Sequence, residues 1–174
     1  MSQNFQIWQT TAPRARILKA GFCFLIMLMG LGRVGNAIAQ PSGQADAGKR
    51  IIRTDRAPQP VGPYSQGVVA NGFLFVAGQV GSDPRTRRLV NKSFEAEATQ
   101  VMENIQSILQ AANLDFRHVV KTTIYLKDLG NFAEVNEIYG QYFANEPPAR
   151  ETVQVAALPG GASVEISVVA AVAQ

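Results

Sequence analysis

Two charged side chains in mostly apolar stretches of the sequence could carry chemistry. Glu165 interrupts the apolar run of residues 164–168, and Arg150 ends the proline-containing segment 146–150. A planar guanidinium is a natural clamp for a carboxylate, and a carboxyl group can move a proton or activate a water molecule. Together the two residues suggest a site that holds a small anion through Arg150 and transfers a proton through Glu165.

The pattern around these two residues also allows simpler interpretations. Glu165 could lie on the solvated face of an edge strand, and Arg150 could be a surface cation or the ion-pair partner of Glu165. The pKa of Glu165 is equally open, because burial would raise it and a nearby Arg150 would lower it.

Other chemistry-bearing side chains are scarce. The one histidine, His118, would have to serve any Ser-His-Asp triad, but its place beside Arg117 at the start of a predicted strand favours a structural role. The one cysteine, Cys23, rules out an intramolecular disulfide and a cysteine-based zinc cluster. No carboxylate cluster suits a metal ion, and the glycine pairs lack the spacing of a phosphate-binding loop. From the residues we therefore expect neither a metal site nor a nucleotide-binding loop.

The positive charge of the chain is concentrated at its N-terminus. The 174 residues include 16 Lys and Arg against 13 Asp and Glu, a net charge of +3. Residues 1–39 contain four of the basic residues and no acidic one, which leaves 12 basic residues against all 13 acidic ones, a net charge of −1. The composition of the remaining chain therefore does not favour binding to nucleic acid.

Residues 1–39 have the pattern of a secretory signal peptide. Three basic residues precede the 13-residue apolar stretch 20–32, and residues 37–39 form a small-x-small cleavage pattern before Gln40. The apolar stretch is shorter than the roughly 20 residues that cross a bilayer as a helix. The predicted organisation is a signal peptide at 1–39, a flexible linker at 40–48 and one domain at 49–174. We expect a periplasmic or secreted protein with no membrane segment after cleavage; an uncleaved anchor or a cytoplasmic protein with a misassigned start is the alternative.

Local signals predict the element order β-β-β-α-β-α-β-β for the domain. Asn71-Gly72 between two apolar runs is typical of a type I′ hairpin turn, and Ser93 is placed to cap a helix that reaches about Ala112. A second amphipathic helix is expected over about 131–144, and its predicted core side comprises Phe132, Val135, Ile138, Tyr139 and Tyr142. Further strands are expected at about 49–54, 119–127, 151–158 and 163–172.

The two predicted helices are too few to cover the predicted sheet. Helical crossovers between strands imply right-handed units and at least partly parallel pairing. In the last strand, alternation puts Glu165 and Ser167 on one face and the apolar residues on the other. One sheet face with apolar alternate positions is left without a helix. A second subunit would cover that face, so the sequence predicts a homo-oligomer.

A series of short motifs carries a resemblance to a known family. In chain order they are residues 62–67 (GPYSQG), 77–79 (AGQ), 120–123 (VKTT), 127–129 (KDL), 132–136 (FAEVN), 148–150 (PAR) and 164–166 (VEI). The succession resembles the RidA/YjgF family of enamine/imine deaminases over about residues 50–172. The resemblance implies a single chorismate-mutase-like α+β domain, with a mixed β-sheet and two helices on one face. It also implies a homotrimer whose active clefts lie between subunits.

The same resemblance implies an activity and a set of site residues. Family members hydrolyse small 2-imino and 2-enamino acids, such as 2-iminobutanoate and 2-iminopropanoate, to 2-oxo acids and ammonia without a cofactor. By motif, Arg150 and the backbone N–H of Thr152 would bind the substrate carboxylate, and Glu165 would orient water or relay protons. The remaining implied site residues are Tyr64, which would line the cleft, Asn136, which would lie near it, and Gly78, which would let the backbone approach the ligand.

Three departures from the family pattern bear on the substrate range. Glu151 and Thr152 follow the Pro-Ala-Arg motif where a small residue and a cysteine are common, and Ala77 replaces a common serine. Glu151 would weaken anion binding at Arg150 unless its side chain points away. A carboxylate-binding or chaperone-like protein without turnover is the main alternative function. RNA cleavage, attached to some relatives, is disfavoured because no histidine pair exists and the only basic cluster after the leader is at residues 85–88.

Overall fold

The computed structural model describes residues 48–143 and 145–172 of the chain. The predicted signal peptide and all but the last residue of the predicted linker lie outside the described residues. Within these two ranges, no helix combines the length and the apolar character that crossing a membrane requires.

The described residues form one mixed sheet of six strands with two α-helices, and the predicted element order is confirmed. The strands are β1 (Arg50–Ile52), β2 (Gly67–Ala70), β3 (Phe73–Val80), β4 (Val119–Leu126), β5 (Ala149–Gln154) and β6 (Val164–Ala171). The helices are α1 (Phe94–Ala111) and α2 (Phe132–Tyr142). The domain is therefore an α+β fold.

The order of strands in the sheet is β1-β2-β3-β6-β4-β5. Only β4 and β5 pair in parallel, and the other neighbours are antiparallel. Helix α2 joins β4 to β5, and α1 joins β3 to β4, which run in the same direction on either side of β6. Strand β6 is thus central in the sheet. The interpretation of Glu165 as a residue of an edge strand is wrong, because β6 pairs on both sides.

The local signals for the hairpin and the first helix are confirmed. Asn71 and Gly72 both have positive φ, at 49° and 78°, as a type I′ turn requires. The Ser93 hydroxyl accepts a hydrogen bond from the N–H of Ala96 at 3.1 Å and caps α1. Strand β5 begins at Ala149, two residues earlier than predicted, because pairing with β4 starts immediately after the proline pair. Arg150 therefore lies within a strand.

The two faces of the sheet differ as predicted. Helix α1 packs on β3 and β6 and against α2, and the side chains between helices and sheet are fully buried, among them Leu74, Ile105, Ile108, Leu109, Ile124, Leu126 and Ile166. On the other face, Phe73 and Phe75 are 41% and 49% exposed. This open face carries large apolar side chains without a covering layer in the described residues. Association of chains through it stays a prediction.

Candidate active site

A cleft of about 420 Å³ lies on the open side of the sheet around the Glu165 carboxyl. Its walls are the proline-rich segment before β2, the end of β3 and the turn before β6. The lining residues are Pro58, Gln59, Val61, Tyr64, Ala77, Gly78, Val80, Ser82, Pro159 and Glu165. The Tyr64 hydroxyl accepts a hydrogen bond from the N–H of Val61 at 3.3 Å, which holds the ring against its own loop. The cleft is mostly apolar, with one carboxyl group on its floor.

Gly78 makes room for the Glu165 side chain. The register between β3 and β6 shifts between Val76 and Gln79, so Val80 pairs with Glu165 and Gly78 lies within the shifted segment. A Cβ atom at Gly78 would overlap Oε1 of Glu165 and lie 2.8 Å from its Cδ. The sequence predicted that a glycine here lets a ligand approach the backbone. In this structure, a glycine is needed at position 78 because any Cβ atom there would collide with the Glu165 carboxyl group.

The environment of Glu165 changes its protonation equilibrium. Burial in the apolar cleft raises the pKa of this carboxyl above its usual 4.5. None of the ion pairs among the described residues includes Glu165. The sequence left the direction of the Glu165 pKa shift open. Within one chain the pKa is raised, because desolvation acts without an opposing cation.

Arg150 lies on the opposite face of the sheet, on the side of the helices. It is paired in register with the buried Thr122 of β4. Its Cζ atom stands 4.9 Å from the ring centroid of Tyr139 and 5.8 Å from that of Phe132, which is cation–π distance. The Tyr139 hydroxyl donates to Oγ1 of Thr122 at 3.1 Å and fixes its ring. Two aromatic rings thus orient the guanidinium, which has no carboxylate partner in the described part of the chain.

Glu151 points away from Arg150. The alternation of β5 turns it to the open face, where its carboxylate accepts a hydrogen bond from Nζ of Lys121 at 3.2 Å and one from Oγ1 of Thr123 at 3.5 Å. The negative charge that follows the Pro-Ala-Arg motif is therefore neutralised by a lysine on the other side of the sheet. The Glu151 side chain therefore points away from Arg150, which is the condition under which it does not weaken anion binding there.

The backbone of β5 offers donors beside Arg150. The N–H of Val155 donates to the carbonyl of Leu126 in β4 at 2.9 Å. Because N–H groups alternate in direction along a strand, those of Arg150 and Thr152 point away from β4. Strand β5 is the last in the sheet order, so these two N–H groups lie at an open edge. Oγ1 of Thr152 and Oδ1 of Asn136 are buried without a hydrogen-bond partner within the described ranges.

The predicted site residues therefore fall into two groups within one chain. The arginine half-site comprises Arg150, Thr152 and Asn136, at the edge formed by β5 and α2. The carboxylate half-site comprises Tyr64, Gly78 and Glu165, in the cleft on the open side of the sheet. Arg150 and Thr152 lie on the same face of β5, and Asn136 lies on α2 between the two residues whose rings flank Arg150. The structure does not bring the two halves together. The alternative that Arg150 forms an ion pair with Glu165 in the same chain is wrong.

Sequence reasoning missed the residues that orient Arg150. The amphipathic pattern of α2 predicts that Phe132 and Tyr139 both face the core, and Tyr139 is buried. Phe132 is 42% exposed and lies beside the guanidinium, so its assignment to the core is wrong. Their spacing of seven residues, two helical turns, is the signal that could have suggested a pair of rings on one helix face.

His118 has the structural role that the sequence favoured. Its Nδ1 atom accepts a hydrogen bond from the N–H of Asp115 at 3.2 Å, within the short turn of 3-10 helix (Phe116–His118) before β4. Within the described ranges, no group of three or more His, Cys, Asp or Glu side chains is arranged to hold a metal ion.

Comparison with known proteins agrees with the motifs. The family model described as Endoribonuclease L-PSP matches residues 54–172. Protein DfrA of Myxococcus xanthus is 51% identical over 124 residues, which cover 70% of this chain and 95% of that protein. The human 2-iminobutanoate/2-iminopropanoate deaminase is 48% identical over 122 residues, which cover 70% of this chain and 89% of the human one.

A solved structure shares the fold at lower sequence identity. The crystal structure of E. coli TdcF with bound serine matches with a TM-score of 0.68 and 36% sequence identity, over 71% of this chain and 99% of that one. The chain belongs to the Endoribonuclease L-PSP family, which is the RidA/YjgF family.

Proposed function

We propose that this protein is a cofactor-independent deaminase that hydrolyses small 2-imino and 2-enamino acids to 2-oxo acids and ammonia. The observation that carries the proposal is the environment of Arg150: a half-buried guanidinium oriented by two rings, with no carboxylate partner in the described residues. Such a cation, beside the edge N–H of Thr152, suits a small carboxylate. The named activity of the human relative and the serine bound to TdcF are consistent with an amino-acid-like ligand.

The chemistry needs little from the protein beyond placement and one proton carrier. The imine carbon is already electrophilic, so a positioned water can add to it when a base accepts the water proton. Glu165 is the base in this proposal. With the imine nitrogen protonated, the addition product is a neutral carbinolamine, and Glu165 returns the water proton to its nitrogen. The C–N bond then breaks with its electron pair leaving on ammonia, while the hydroxyl oxygen forms the carbonyl and gives its proton to Glu165. An enamine substrate first gains a proton at its terminal carbon and becomes the protonated imine.

The walls of the cleft favour an apolar substrate side chain. Val61, Ala77 and Val80 line it next to Glu165. Ala77 replaces the serine that is common in the family, which removes a hydroxyl from this wall. Short alkyl side chains such as those of 2-iminobutanoate and 2-iminopropanoate fit such a lining better than polar ones do.

The proposal includes an assembly, because one chain separates its two half-sites. We propose a homotrimer in which the open sheet faces pack together and the arginine half-site of one subunit meets the carboxylate half-site of its neighbour. The exposed Phe73 and Phe75 support this packing, since their burial against a second copy is favourable. The active site then lies between subunits, as the family resemblance implies.

A coupled assay tests the activity. A pyridoxal-phosphate dehydratase generates 2-aminoacrylate, and pyruvate release is followed with and without the purified protein. Arg150→Ala should lower kcat/KM by about 100-fold, because a desolvated charge contact is lost. Arg150→Lys should lie between, at a loss of about tenfold. Arg85→Ala, in an exposed loop, is the matched control. An Arg150→Ala protein with wild-type turnover contradicts the proposal.

A protein that binds small carboxylates without turnover is the alternative. The arginine half-site is complete without Glu165, so it could bind a 2-oxo acid by itself. Calorimetric titration with 2-oxobutanoate separates the two functions. Tight binding with no acceleration of imine hydrolysis favours the alternative, and acceleration favours the deaminase.

We also propose that residues 1–39 direct export and are removed. Mass spectrometry of the protein recovered from a Gram-negative host should then find Gln40 as the first residue in the periplasmic fraction. Full-length protein in the cytoplasm would contradict export. Neither nucleic acid nor a membrane is part of the proposed function.

A further inference from the structure

A buried carboxyl group on α1 lies behind the cleft and is not among its lining residues. Glu97, in the first turn of α1, is only 2% exposed. Its Oε1 atom accepts a hydrogen bond from the N–H of Ser163 at 2.7 Å and a longer one from the N–H of Val164 at 3.4 Å. These N–H groups belong to the start of β6, the strand that carries Glu165.

Ser163 is held on two sides. Its N–H donates to Glu97, and its carbonyl accepts from the N–H of Lys127 at 2.9 Å. Only one residue separates Ser163 from Glu165, and the turn that precedes it contains Pro159 of the cleft wall. The Glu97 contact therefore anchors the segment from which the Glu165 side chain extends.

The opposite wall of the cleft rests on the same helix. Gly81 packs directly on Glu97, and a Cβ atom there would lie 2.6 Å from both Cγ and the carbonyl oxygen of Glu97. Two turns further along α1, Asn104 uses its Nδ2 group to donate to the carbonyls of Val80 at 3.2 Å and Ser82 at 2.9 Å. Val80 and Ser82 both line the cleft. Helix α1 thus holds both walls through buried polar side chains.

We propose that Glu97 is a positioning residue for the deamination, one that sets the place of the Glu165 carboxyl by fixing the start of β6. This catalytic role of Glu97 rests on the proposed deaminase function. Two features support it: the contact is made by a side chain that reaches only backbone groups, and those groups lie two residues or fewer from Glu165. A proton carrier displaced by about 1 Å can lose about 100-fold in rate.

Substitutions at Glu97 separate positioning from general support of the fold. Glu97→Gln keeps an oxygen at the acceptor position and should stay within about threefold of wild-type kcat. Glu97→Leu removes the acceptor at similar volume and should lower kcat about tenfold, while KM stays within about twofold because the arginine half-site is untouched. Glu97→Asp withdraws the carboxylate by one methylene and should show the same split with a smaller loss, should the leucine variant not fold.

A control on the same helix removes the effect of stability. Ile108→Val deletes a buried methyl group of α1 that does not line the cleft, so it should lower the melting temperature and leave kcat unchanged. Wild-type kcat in both Glu97→Leu and Glu97→Asp overturns the inference. So does a loss that Glu97→Gln shares in full, because the contact argued here needs only an acceptor oxygen.

A second readout works without turnover. The pKa of Glu165, read from the ¹³C resonance of its carboxyl against pH, should differ between Glu97→Asp and wild type, because the burial of Glu165 changes. If the wild-type protein shows no deaminase activity, the proposed function fails and this titration alone judges the positioning. An unchanged Glu165 titration in both Glu97→Asp and Glu97→Leu then overturns it.

Discussion

The arginine half-site and the carboxylate half-site are built in different ways. Arg150, the rings beside it and the edge N–H of Thr152 come from one stretch of about twenty residues, the connected pair α2 and β5. The surroundings of Glu165 come from three distant segments, near residues 58–64, 77–82 and 159–165. The anion site is thus a local product of one helix and one strand. The proton site depends on the tertiary fold.

The two half-sites also differ in their accessibility. Arg150 stands at the outer edge of the sheet, where a partner can approach it from the side. Glu165 lies in the centre of the sheet, and α1 supports its strand from behind. Because the two half-sites lie on opposite faces of the sheet, a single chain contains both of them but does not bring them together into one active site. This difference is the main argument for the proposed assembly.

The largest effect is expected from filling the gap under Glu165. Gly78→Ala puts a methyl group where the carboxyl lies, so Glu165 must move, and kcat should fall about 100-fold with little change in KM. Gly140→Ala is the matched control, since its Cβ meets nothing within 4 Å on α2. That variant should keep full activity and gain about 0.5–1 kcal/mol of stability, because alanine is the better helix former. Wild-type kcat in Gly78→Ala would show that the position of Glu165 does not matter.

Mixing two inactive variants tests whether the halves meet between subunits. Arg150→Ala and Glu165→Gln subunits are unfolded together in equal amounts and refolded. If each site takes Arg150 from one subunit and Glu165 from the next, about one quarter of the sites in random assemblies regain both groups. Activity should then rise from below about 1% to about 25% of wild type. No recovery in properly assembled mixtures places both residues in the same subunit's site, against the comparison drawn above.

The smallest effect concerns the titration of Glu165. In one chain burial alone acts, so the pKa lies above 4.5; a guanidinium across an interface would lower it. Removing that cation in Arg150→Ala should therefore raise the pKa of Glu165 relative to wild type, as measured by the ¹³C resonance of its carboxyl group.

The sign of this shift has a consequence for stability. Because folding raises the pKa of this carboxyl, its ionised form costs stability in full above the folded-state pKa; the cost shrinks as the pH falls below that pKa and is gone below about pH 4.5. If the half-sites meet, Arg150→Ala should widen the pH range over which stability changes, because the folded-state pKa of Glu165 is then higher. Equal Glu165 titrations in the two proteins would indicate that Arg150 and Glu165 stay apart in the assembled protein.

Much of the fold could be predicted because its signals are local. Asn71-Gly72 specifies the hairpin through positive φ at both residues, Ser93 caps α1, and strict alternation in β6 assigns Glu165 to the face opposite the core. The residues of the candidate site were accessible too, through motifs that resemble a family. The arrangement of these residues was not accessible, because it depends on pairings between strands far apart in the chain.

Three features of the site came only from the tertiary structure. The parallel register of β4 and β5 turns Arg150 toward the helices and Glu151 away from it, and no pattern within the six residues of β5 contains that register. The register shift between Val76 and Gln79 leaves Gly78 unpaired with β6, and the Glu165 carboxyl lies directly against it. Phe132 lies outside the core because its ring packs beside Arg150 and not against the sheet. Sequence by itself determined which residues have the chemistry and the local backbone that carries each. Tertiary structure decided which of them meet, since long-range pairing and packing act between segments that local rules treat separately.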